Sequence, residues 1–340
     1  MTAPLRLALD RAALQHNWRS LAAMAGTACG AAVKADGYGL GALGVATALA
    51  AAGCRDFFVA TWAEAAELAP LGLPVSVLHG VREADLPRAR ALGFARPVLN
   101  SPEQIARWRA SGGGACDLMV DTGMNRLGLA AEDLGAAAGL AIATLMSHLA
   151  RADEDVAEND AQRSAFTAIA AALPAARRSL ANSAGVALGR GFAFDLVRPG
   201  LALYGGVPRA ELAARLRPVV APEAELLQRR TLRAGAAIGY NALYRAREAM
   251  PVGIVHLGYA DGYARSLEGA GVARAGGAAL PVIGRISMDL IALDLRAAPD
   301  LREGDWVRFD FDLPRLAEAS GRAQYELLTG LGARFDRLWG

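Results

Sequence analysis

The stretch DFFVATWAEAAELAPLGLPVSVLHGVREADLPRARALGFARPVLNSPEQIARWRASG, residues 56–112, repeats a short apolar run followed by a segment rich in Ala, Leu and Arg. The apolar runs are typical of buried strands, and the segments between them are typical of helices. Repeated β-then-α units predict a parallel sheet covered by helices. Within the stretch, Ser101 is predicted as an N-cap, Pro102 as the first helical position and Gln104 as the capping-box partner.

The same alternation extends outward, from about residue 8 to about residue 215. Later apolar runs have the sequences CDLMVDTG, ATLMSHLA and FDLVRPGLALYG. The number of units and the length of chain they occupy favour a closed (β/α)8 barrel of the TIM type over an open sheet. The sequence therefore predicts a first domain, an α/β barrel, over residues 8–215.

The pattern changes at about residue 216. Strand-like runs separated by turns follow, among them AELLQRRTLRAG, MPVGIVHLGYADGY, LPVIGRISMDLIALDL and DWVRFD. These runs predict a mainly β C-terminal domain over residues 216–340, which residues 1–7 are candidates to join. Two domains also suit the length, because 340 residues exceed what one ordinary core organises.

Composition excludes several classes of protein. The net charge is +2 with both signs interspersed, and without a basic block no nucleic-acid partner is expected. No apolar run is long or pure enough to predict a membrane span, and the N-terminus lacks the apolar core of a signal peptide. Cys29, Cys54 and Cys116 lack the paired spacing of metal ligands. The sequence predicts a reduced, cytoplasmic protein without a metal site.

Lys34, in AAVKADGYGLGA (residues 31–42), is the only lysine among 340 residues. It follows the first predicted barrel strand, on the face where barrel enzymes place their chemistry. Arginine carries charge as well as lysine does, but it does not readily form a Schiff base. Gly37, Gly39 and Gly41 keep the following loop open, and Tyr38 adds a phenol. A surface lysine is the plain alternative, but the retained amine and its small neighbours favour a site for a flat aldehyde.

The stretch VKADGYGLG resembles the pyridoxal-phosphate lysine motif of alanine racemases, which are fold-type III enzymes. Further stretches resemble motifs of that family in the same order: VDTGMNRLGL (120–129), SHLARADE (147–154), ANSAG (181–185), DLVRPGLALYG (195–205), IGYNALYRA (238–246), LGYADGY (257–263) and IGRISMDL (283–290). The resemblance spans nearly the whole chain. It implies a barrel followed by a β domain, which agrees with the patterns above.

The activity that the resemblance implies is the interconversion of L- and D-alanine with pyridoxal 5'-phosphate, which supplies D-alanine for peptidoglycan. Racemisation needs a base on each face of the α-carbon. The resemblance makes Lys34 one base and Tyr240 the other. Because a free tyrosine titrates near ~10, Tyr240 needs cationic or hydrogen-bonding neighbours, and Arg126 and His148 are the candidates.

The resemblance also assigns residues to the cofactor and the substrate. Arg198 would meet the ring nitrogen of the cofactor, and His148 would lie beside the cofactor. The phosphate would be held by Tyr38, by Ser183 and by the backbone amides of Gly200 and Leu201, whereas Tyr204 is either a further phosphate ligand or a core residue. Arg126 and Met288 would bind the substrate carboxylate, and Tyr259 would line the substrate side.

The resemblance implies a homodimer with composite active sites. In the family, residues of the β domain reach the cofactor of the neighbouring subunit, so Tyr240, Tyr259 and Met288 would act in trans. Met119 departs from the family pattern, because many members have a carbamylated lysine there that orients the substrate-binding arginine. Arg126 would then be held by a bound chloride or by another side chain.

Alternative functions remain open at the level of sequence. A serine or broad-specificity amino-acid racemase is the nearest, since one methylene changes discrimination by only ~1–3 kcal/mol. A pyridoxal-phosphate decarboxylase or D-threonine-type aldolase is disfavoured by IGYN and ISMD. A non-catalytic pyridoxal-phosphate carrier is disfavoured by the presence of residues 216–340.

Overall fold

The structure, a computed structural model, describes residues 3–340. These residues fall into two compact units, Ala13–Arg217 and a unit that joins the N-terminal residues up to Ala12 to Pro218–Gly340. Strand β1 (Leu5–Leu9) pairs antiparallel with residues 220–224, so the N-terminal segment is built into the second unit. Residues 1 and 2, which belong to the segment that the sequence makes a candidate for the β domain, lie outside the described residues.

The first unit is a parallel β/α barrel. Its strands, within the fully described range 13–217, are β2 Ala28–Cys29, β3 Ala31–Ala32, β4 Phe57–Val59, β5 Val75–Val77, β6 Ala95–Leu99, β7 Cys116–Met119, β8 Ile142–Met146, β9 Arg177–Ser179 and β10 Leu196–Val197. Strands β3 to β9 form one parallel sheet in chain order, and β10 pairs with β2.

Strand β10 closes the barrel. The amide of Asp195 donates to Arg178 O at 3.0 Å on one side, and the amide of Gly30 donates to Val197 O at 2.9 Å on the other. Because β2 and β3 are the two halves of one strand interrupted at Gly30, eight strand positions surround the core in this described unit. The predicted (β/α)8 barrel followed by a mainly β domain is confirmed.

Helices cover the barrel between the strands. Up to residue 217 they are α1 Arg11–Ala25, α2 Lys34–Tyr38, α3 Ala42–Ala52, α4 Trp62–Glu67, α5 Leu86–Ala91, α6 Pro102–Ala110, α7 Ala157–Ala172 and α8 Ser183–Ala187. Within residues 3–340, no helix is long and apolar enough to cross a membrane.

The start of α6 shows how far local sequence signals reach. Ser101 is the N-cap, Pro102 begins the helix, and the Ser101 hydroxyl accepts from the amide of Gln104 at 3.3 Å, as predicted. The prediction that Gln104 completes a capping box is wrong. Its Oε1 does not accept from the amide of Ser101 but from that of Asn100, at 3.2 Å. Its Nε2 donates to His79 O at 3.2 Å. The oxygen and the nitrogen of the Gln104 side chain are thus both hydrogen-bonded, each to a segment that follows a barrel strand.

The second unit is a mainly antiparallel β structure. Besides β1 it contains β11 Val220–Leu232, β12 Ala237–Ile238, β13 Tyr244–Arg245, β14 Met250–His256, β15 Val272–Ala275, β16 Ala278–Ile283, β17 Leu290–Asp294, β18 Trp306–Phe309, β19 Asp336–Trp339 and the helices α9 Leu313–Ser320 and α10 Gln324–Thr329. The strands pair in the order β14-β17-β16-β15-β18-β11-β1-β19.

The long strand β11 organises this second unit. Its first half pairs with β1 and β18, and its second half pairs with β14 after a register shift between Leu226 and Gln228. Since β14 is also the far end of the strand order, the pairing of β11 with β14 closes the sheet. The small hairpin β12–β13 projects Tyr240 on the turn between its strands.

We predict that Gly30→Ala destabilises the barrel, because Gly30 divides the first strand at a crowded point. A Cβ at this position would lie 2.8 Å from the Phe58 ring and 2.9 Å from Asp56 O. Overpacking of this kind costs typically ~1–3 kcal/mol. Urea unfolding measures the change, and Gly93→Ala is the control because its Cβ would meet nothing within 4 Å. Equal stabilities for the two variants would contradict the prediction.

Candidate active site

The backbone that follows Lys34 turns left-handed. Ala35, Asp36, Gly37 and Tyr38 have φ values of 52°, 52°, 62° and 57°. The amide of Gly37 donates to Val33 O at 2.9 Å, and that of Gly39 donates to Ala35 O at 2.9 Å. A left-handed conformation costs roughly 1–2 kcal/mol for each residue other than glycine. The segment that the sequence interprets as an open loop is therefore a compact, strained turn at the end of the first barrel strand.

Two carboxylates hold this turn. Glu64 Oε1 accepts from the amide of Ala35 at 2.8 Å, and Asp36 Oδ1 accepts from the amide of Ala42 at 2.8 Å, at the start of α3. Glu64 lies in α4 and forms a capping box with Thr61. Glu64 was not predicted as a site residue from the sequence, although Thr61 and Glu64 have the spacing of that capping box.

Tyr38 reaches the turn after β10. Its ring stacks on that of Tyr204 with centroids 4.6 Å apart. A Cβ built on Gly200 would overlap the Tyr38 hydroxyl, so this phenol lies directly against the Gly200 backbone. Ser183 Oγ accepts from the amides of Gly200 at 2.9 Å and Ala202 at 3.2 Å.

The structure thus brings the residues predicted to hold a phosphate into one place. Leu201 opens a single 3-10 turn, Leu201–Tyr204, and the first amide of such a turn has no partner within it. Tyr204 is fully buried and its hydroxyl donates to Ala32 O at 2.9 Å. Burial raises the pKa of Tyr204 well above its ordinary value. Tyr204 is accordingly a core residue that supports Tyr38.

Arg198 is a buried cation at the end of β10. Its side chain donates to Ser147 O at 2.6 Å and to the Ser179 hydroxyl, and within residues 3–340 it forms no ion pair. Burial lowers the pKa of Arg198 to about 10, while the negative charge of Asp117 acts in the opposite direction. The guanidinium therefore stays protonated at neutral pH.

Asp117 is a buried carboxyl group that was not predicted from the sequence. It lies on β7 with no exposed surface, accepts from Ser76 Oγ at 2.5 Å and lies 3.6 Å from Arg96 Nε. Burial raises its pKa, and the nearby charge of Arg96 lowers it. Nothing in the sequence around Asp117 indicated an inward-facing carboxylate, because the surrounding run is apolar.

Two charged side chains act on the amine of Lys34, the guanidinium of Arg126 and the carboxylate of Glu64. Desolvation by the surrounding protein lowers the pKa of Lys34, the charge of Arg126 lowers it further, and the carboxylate of Glu64 raises it. His148 lies in the same group: burial lowers its pKa to about 3, helped by the charges of Arg198, Arg126 and Lys34. At neutral pH the imidazole is therefore neutral, and it offers a hydrogen-bonding group rather than a positive charge.

Arg126 lies in a loop that leaves β7 and returns to it. The amide of Leu129 donates to Met119 O at 2.8 Å, and the amide of Asp121 donates to Leu129 O at 3.0 Å. Asp121 Oδ1 accepts from the amides of Gly123 and Met124, which shapes the loop. Within residues 3–340 the exposed Arg126 side chain makes no hydrogen bond or ion pair, and Met119 is buried on β7.

Three further predicted site residues lie together in the second unit. Tyr240, Tyr259 and Met288 are 67%, 42% and 54% exposed, which is unusual for such large side chains. They line a hollow of about 270 Å³ together with Arg265 and Arg285, which the sequence analysis did not single out.

Backbone bonds fix the register of the two motifs that line this hollow. The amide of Tyr259 donates to Ser287 O at 3.1 Å, and that of Ala260 donates to Met288 O at 3.0 Å. Arg334 bridges the two segments, with its Nε 2.7 Å from buried Asp261 and its guanidinium 2.7 Å from Asp289. Both aspartates therefore have structural partners, and the exposed side chains between them are held on a rigid base.

Comparison with known proteins covers the whole chain. Residues 9–208 match the family model described as alanine racemase, N-terminal domain, and residues 219–339 match alanine racemase, C-terminal domain. The chain is 44% identical to an alanine racemase of Acidiphilium cryptum, over 98% of each protein. It is 40% identical to a catabolic alanine racemase of Agrobacterium fabrum, over 97% of this chain and 91% of that protein.

A solved structure shows the same fold. The crystal structure of alanine racemase from Bartonella henselae with covalently bound pyridoxal phosphate matches with a TM-score of 0.88 and 35% sequence identity. The match covers 98% of this chain and 99% of that one.

We predict that Lys34→Met stabilises the cofactor-free chain at neutral pH. The folded state lowers the pKa of Lys34 below its ordinary value of 10.5, so the protonated amine costs folding free energy at every pH below the folded pKa. This cost falls as pH rises through the folded pKa and disappears above 10.5. Lys34 and Arg88 are both exposed, so Arg88→Met is the control. The advantage of Lys34→Met in urea unfolding should shrink over that window, whereas Arg88→Met should show no such trend. A constant advantage for Lys34→Met would contradict the prediction.

Proposed function

The chain belongs to the alanine racemase family, and we propose that it interconverts L- and D-alanine with pyridoxal 5'-phosphate held on Lys34. The observation that carries the proposal is one cluster at the C-terminal ends of the barrel strands. A single lysine with a lowered pKa, a set of anion-binding groups and a buried arginine meet there, all contributed by the described residues 34–201. The same cluster is the cofactor-binding part of the domain predicted as residues 8–215.

The residues present fit the cofactor's phosphate. Gly200 has no room for a side chain because the Tyr38 hydroxyl occupies the place of a Cβ. The hydroxyls of Tyr38 and Ser183 and the amide of Leu201 therefore converge on this glycine, an arrangement that suits an anion. Phosphate binding by Tyr38, Ser183, Gly200 and Leu201 is part of the proposal.

The pyridine ring would meet Arg198. When bound, pyridoxal phosphate supplies an electron-withdrawing system that takes up the charge left after removal of the α-proton. Arg198 remains protonated despite burial, so it would donate a hydrogen bond to the ring nitrogen and keep its own proton. His148, neutral at neutral pH, would lie beside the cofactor without adding charge.

Proton transfer needs one base on each face of the α-carbon. Lys34 Nζ is suited to one face because desolvation and Arg126 favour its neutral form, which accepts a proton. Tyr240 Oη is the proposed base on the other face. It is exposed on the β12–β13 turn and able to enter a site built from another chain.

The substrate is a small amino acid whose carboxylate binds Arg126. This exposed guanidinium has no ion pair among the described residues and already acts on the Lys34 amine, so an anion bound to it would lie beside the base. Buried Met119 provides no charge to orient Arg126. Tyr259 and Met288 are assigned to the substrate side of the site.

A homodimer completes the proposal. Tyr240, Tyr259 and Met288 share one exposed hollow in the unit predicted as residues 216–340, and each of them keeps a large exposed surface. Each active site then takes Lys34 from one protomer and Tyr240 of the partner subunit. We also place the protein in the cytoplasm, which suits the three buried, unpaired cysteines at residues 29, 54 and 116.

The central test is α-proton exchange in deuterium oxide with L-alanine and with D-alanine. Tyr240→Phe should lower turnover by ~10²–10⁴-fold, the usual loss when a positioned acid–base group is removed. The absorbance of the variant should show that the cofactor is still attached to Lys34. Tyr244→Phe, in the adjacent strand, should retain turnover because its hydroxyl faces Met250 Sδ. Serine as a parallel substrate separates a strict alanine racemase from a broader one. A colourless protein that leaves both alanine enantiomers unchanged would overturn the proposal.

Mixing two inactive variants tests the composite site. Lys34→Ala and Tyr240→Phe homodimers each lack one base at every site. After subunit exchange, a mixed dimer holds one doubly altered site and one intact site, so random exchange restores about a quarter of wild-type activity. The control is each variant exchanged with itself. Persistent inactivity of verified mixed dimers would show that both bases come from the same chain.

A further inference from the structure

We propose that Glu64 is a positioning residue for Lys34. Its carboxylate binds the left-handed turn that follows Lys34 and connects this turn to the end of the neighbouring barrel strand. Lys34 itself provides no such link, because its amine must remain available. The role we assign to Glu64 is to fix the backbone beside the amine. The significance for catalysis rests on the proposed function of Lys34, whereas the geometry can be tested without it.

The Glu64 carboxylate receives three backbone amides from two places. Oε1 accepts from Ala35 at 2.8 Å, one residue beyond Lys34. Oε2 accepts from Ala60 at 2.6 Å and from Thr61 at 3.2 Å, directly after β4. A single side chain thus joins the turn after the first barrel strand to the end of the second. Charge-assisted bonds of this kind are stronger than neutral ones.

The strained turn requires stabilising contacts to other elements. Ala35, Asp36 and Tyr38 occupy a backbone region that side chains other than glycine disfavour. Asp36 secures the far side of the turn through Ala42. On the side next to Lys34, the bond from the Ala35 amide to Glu64 is the contact that ties the turn to another element.

Glu64 also acts on the charge of the amine. Its carboxylate raises the pKa of Lys34, against the desolvation and the Arg126 charge that lower it. His148, whose pKa the charge of Lys34 helps to lower, is neutral at neutral pH. The glutamate therefore sets both the place of the amine and part of its proton affinity.

Only a glutamate fits all three donors. A glutamine has one acceptor oxygen and an NH₂ group that cannot accept. In either orientation it turns the NH₂ group towards the Ala35 amide or towards the amides of Ala60 and Thr61. An aspartate keeps the charge but is one methylene shorter, so it cannot span both groups of donors. Comparing Glu64→Gln with Glu64→Asp therefore separates the effect of the carboxylate charge from the effect of side-chain length.

The single lysine makes the test direct. In the full-length protein freed of cofactor, reductive methylation with ¹³C-formaldehyde labels Lys34 and the N-terminal amine, whose NMR signals give separate pKa values. Hydrogen exchange at the Ala35 amide, followed by NMR in the same protein, reports the bond to Glu64. Neither measurement requires turnover, so each is independent of whether the protein racemises alanine.

We expect Glu64→Gln to lower the pKa of Lys34 and to speed exchange at Ala35 by about tenfold or more, the factor for one lost bond to a charged group. Glu64→Asp should speed exchange to a similar extent but leave the pKa of Lys34 closer to that of wild type. In the racemase assay both variants should lower kcat more than they change KM for alanine.

Thr61→Ala is the matched control. It removes the other half of the same capping box, the bond from the Glu64 amide to Thr61 Oγ1, and leaves the carboxylate in place. This variant should lower the melting temperature without changing the pKa of Lys34 or the exchange of Ala35. The proposal is overturned if Glu64→Gln keeps wild-type values of both, or if Thr61→Ala changes both as much as Glu64→Gln does.

Discussion

The structure depends on a backbone constraint at residues 35–38, where the chain leaves the first barrel strand in a left-handed turn. This turn keeps Lys34 at the strand end and returns Tyr38 to the Gly200 backbone, so that the amine and the groups proposed to bind a phosphate meet. A right-handed or extended continuation would carry Tyr38 away from Tyr204, with which it stacks. The strain at three non-glycine residues is offset by the stacking and by the carboxylates that bind the turn.

The charge distribution around the amine follows from the same arrangement. Lys34, Arg126 and Arg198 are cationic groups close enough to depress the pKa of His148, and burial keeps that imidazole neutral. Such a cluster attracts anions, and the two anionic parts of the proposed chemistry are a phosphate and a substrate carboxylate. The carboxylate of Glu64 reduces the excess of positive charge, and both of its oxygens already accept hydrogen bonds from backbone amides.

The sequence predicted the barrel because its strands and helices carry distinct local patterns, and it placed Lys34 at a strand end for the same reason. It did not predict the left-handed turn, since Ala35, Asp36 and Tyr38 are residues for which that backbone is unfavourable in isolation. Gln104 shows a similar limit: its spacing from Ser101 suits a capping box, but tertiary partners at Asn100 and His79 take its amide. The closure of the second unit by β11 could not be predicted from the sequence either, because a strand that pairs with different neighbours along its length has no local sequence pattern.

The contrast between Arg198 and Lys34 explains why the chain keeps one lysine. Arg198 is more deeply buried, yet burial lowers its pKa only to about 10, and it stays charged at neutral pH. An arginine at position 34 would therefore retain its proton and serve neither as a tether for an aldehyde nor as a base. A lysine amine starts from a lower pKa and is lowered further by desolvation and Arg126, so its neutral form becomes accessible. Glu64 opposes that shift while it holds the turn, so in the proposed function its charge favours the return of a proton to the amine.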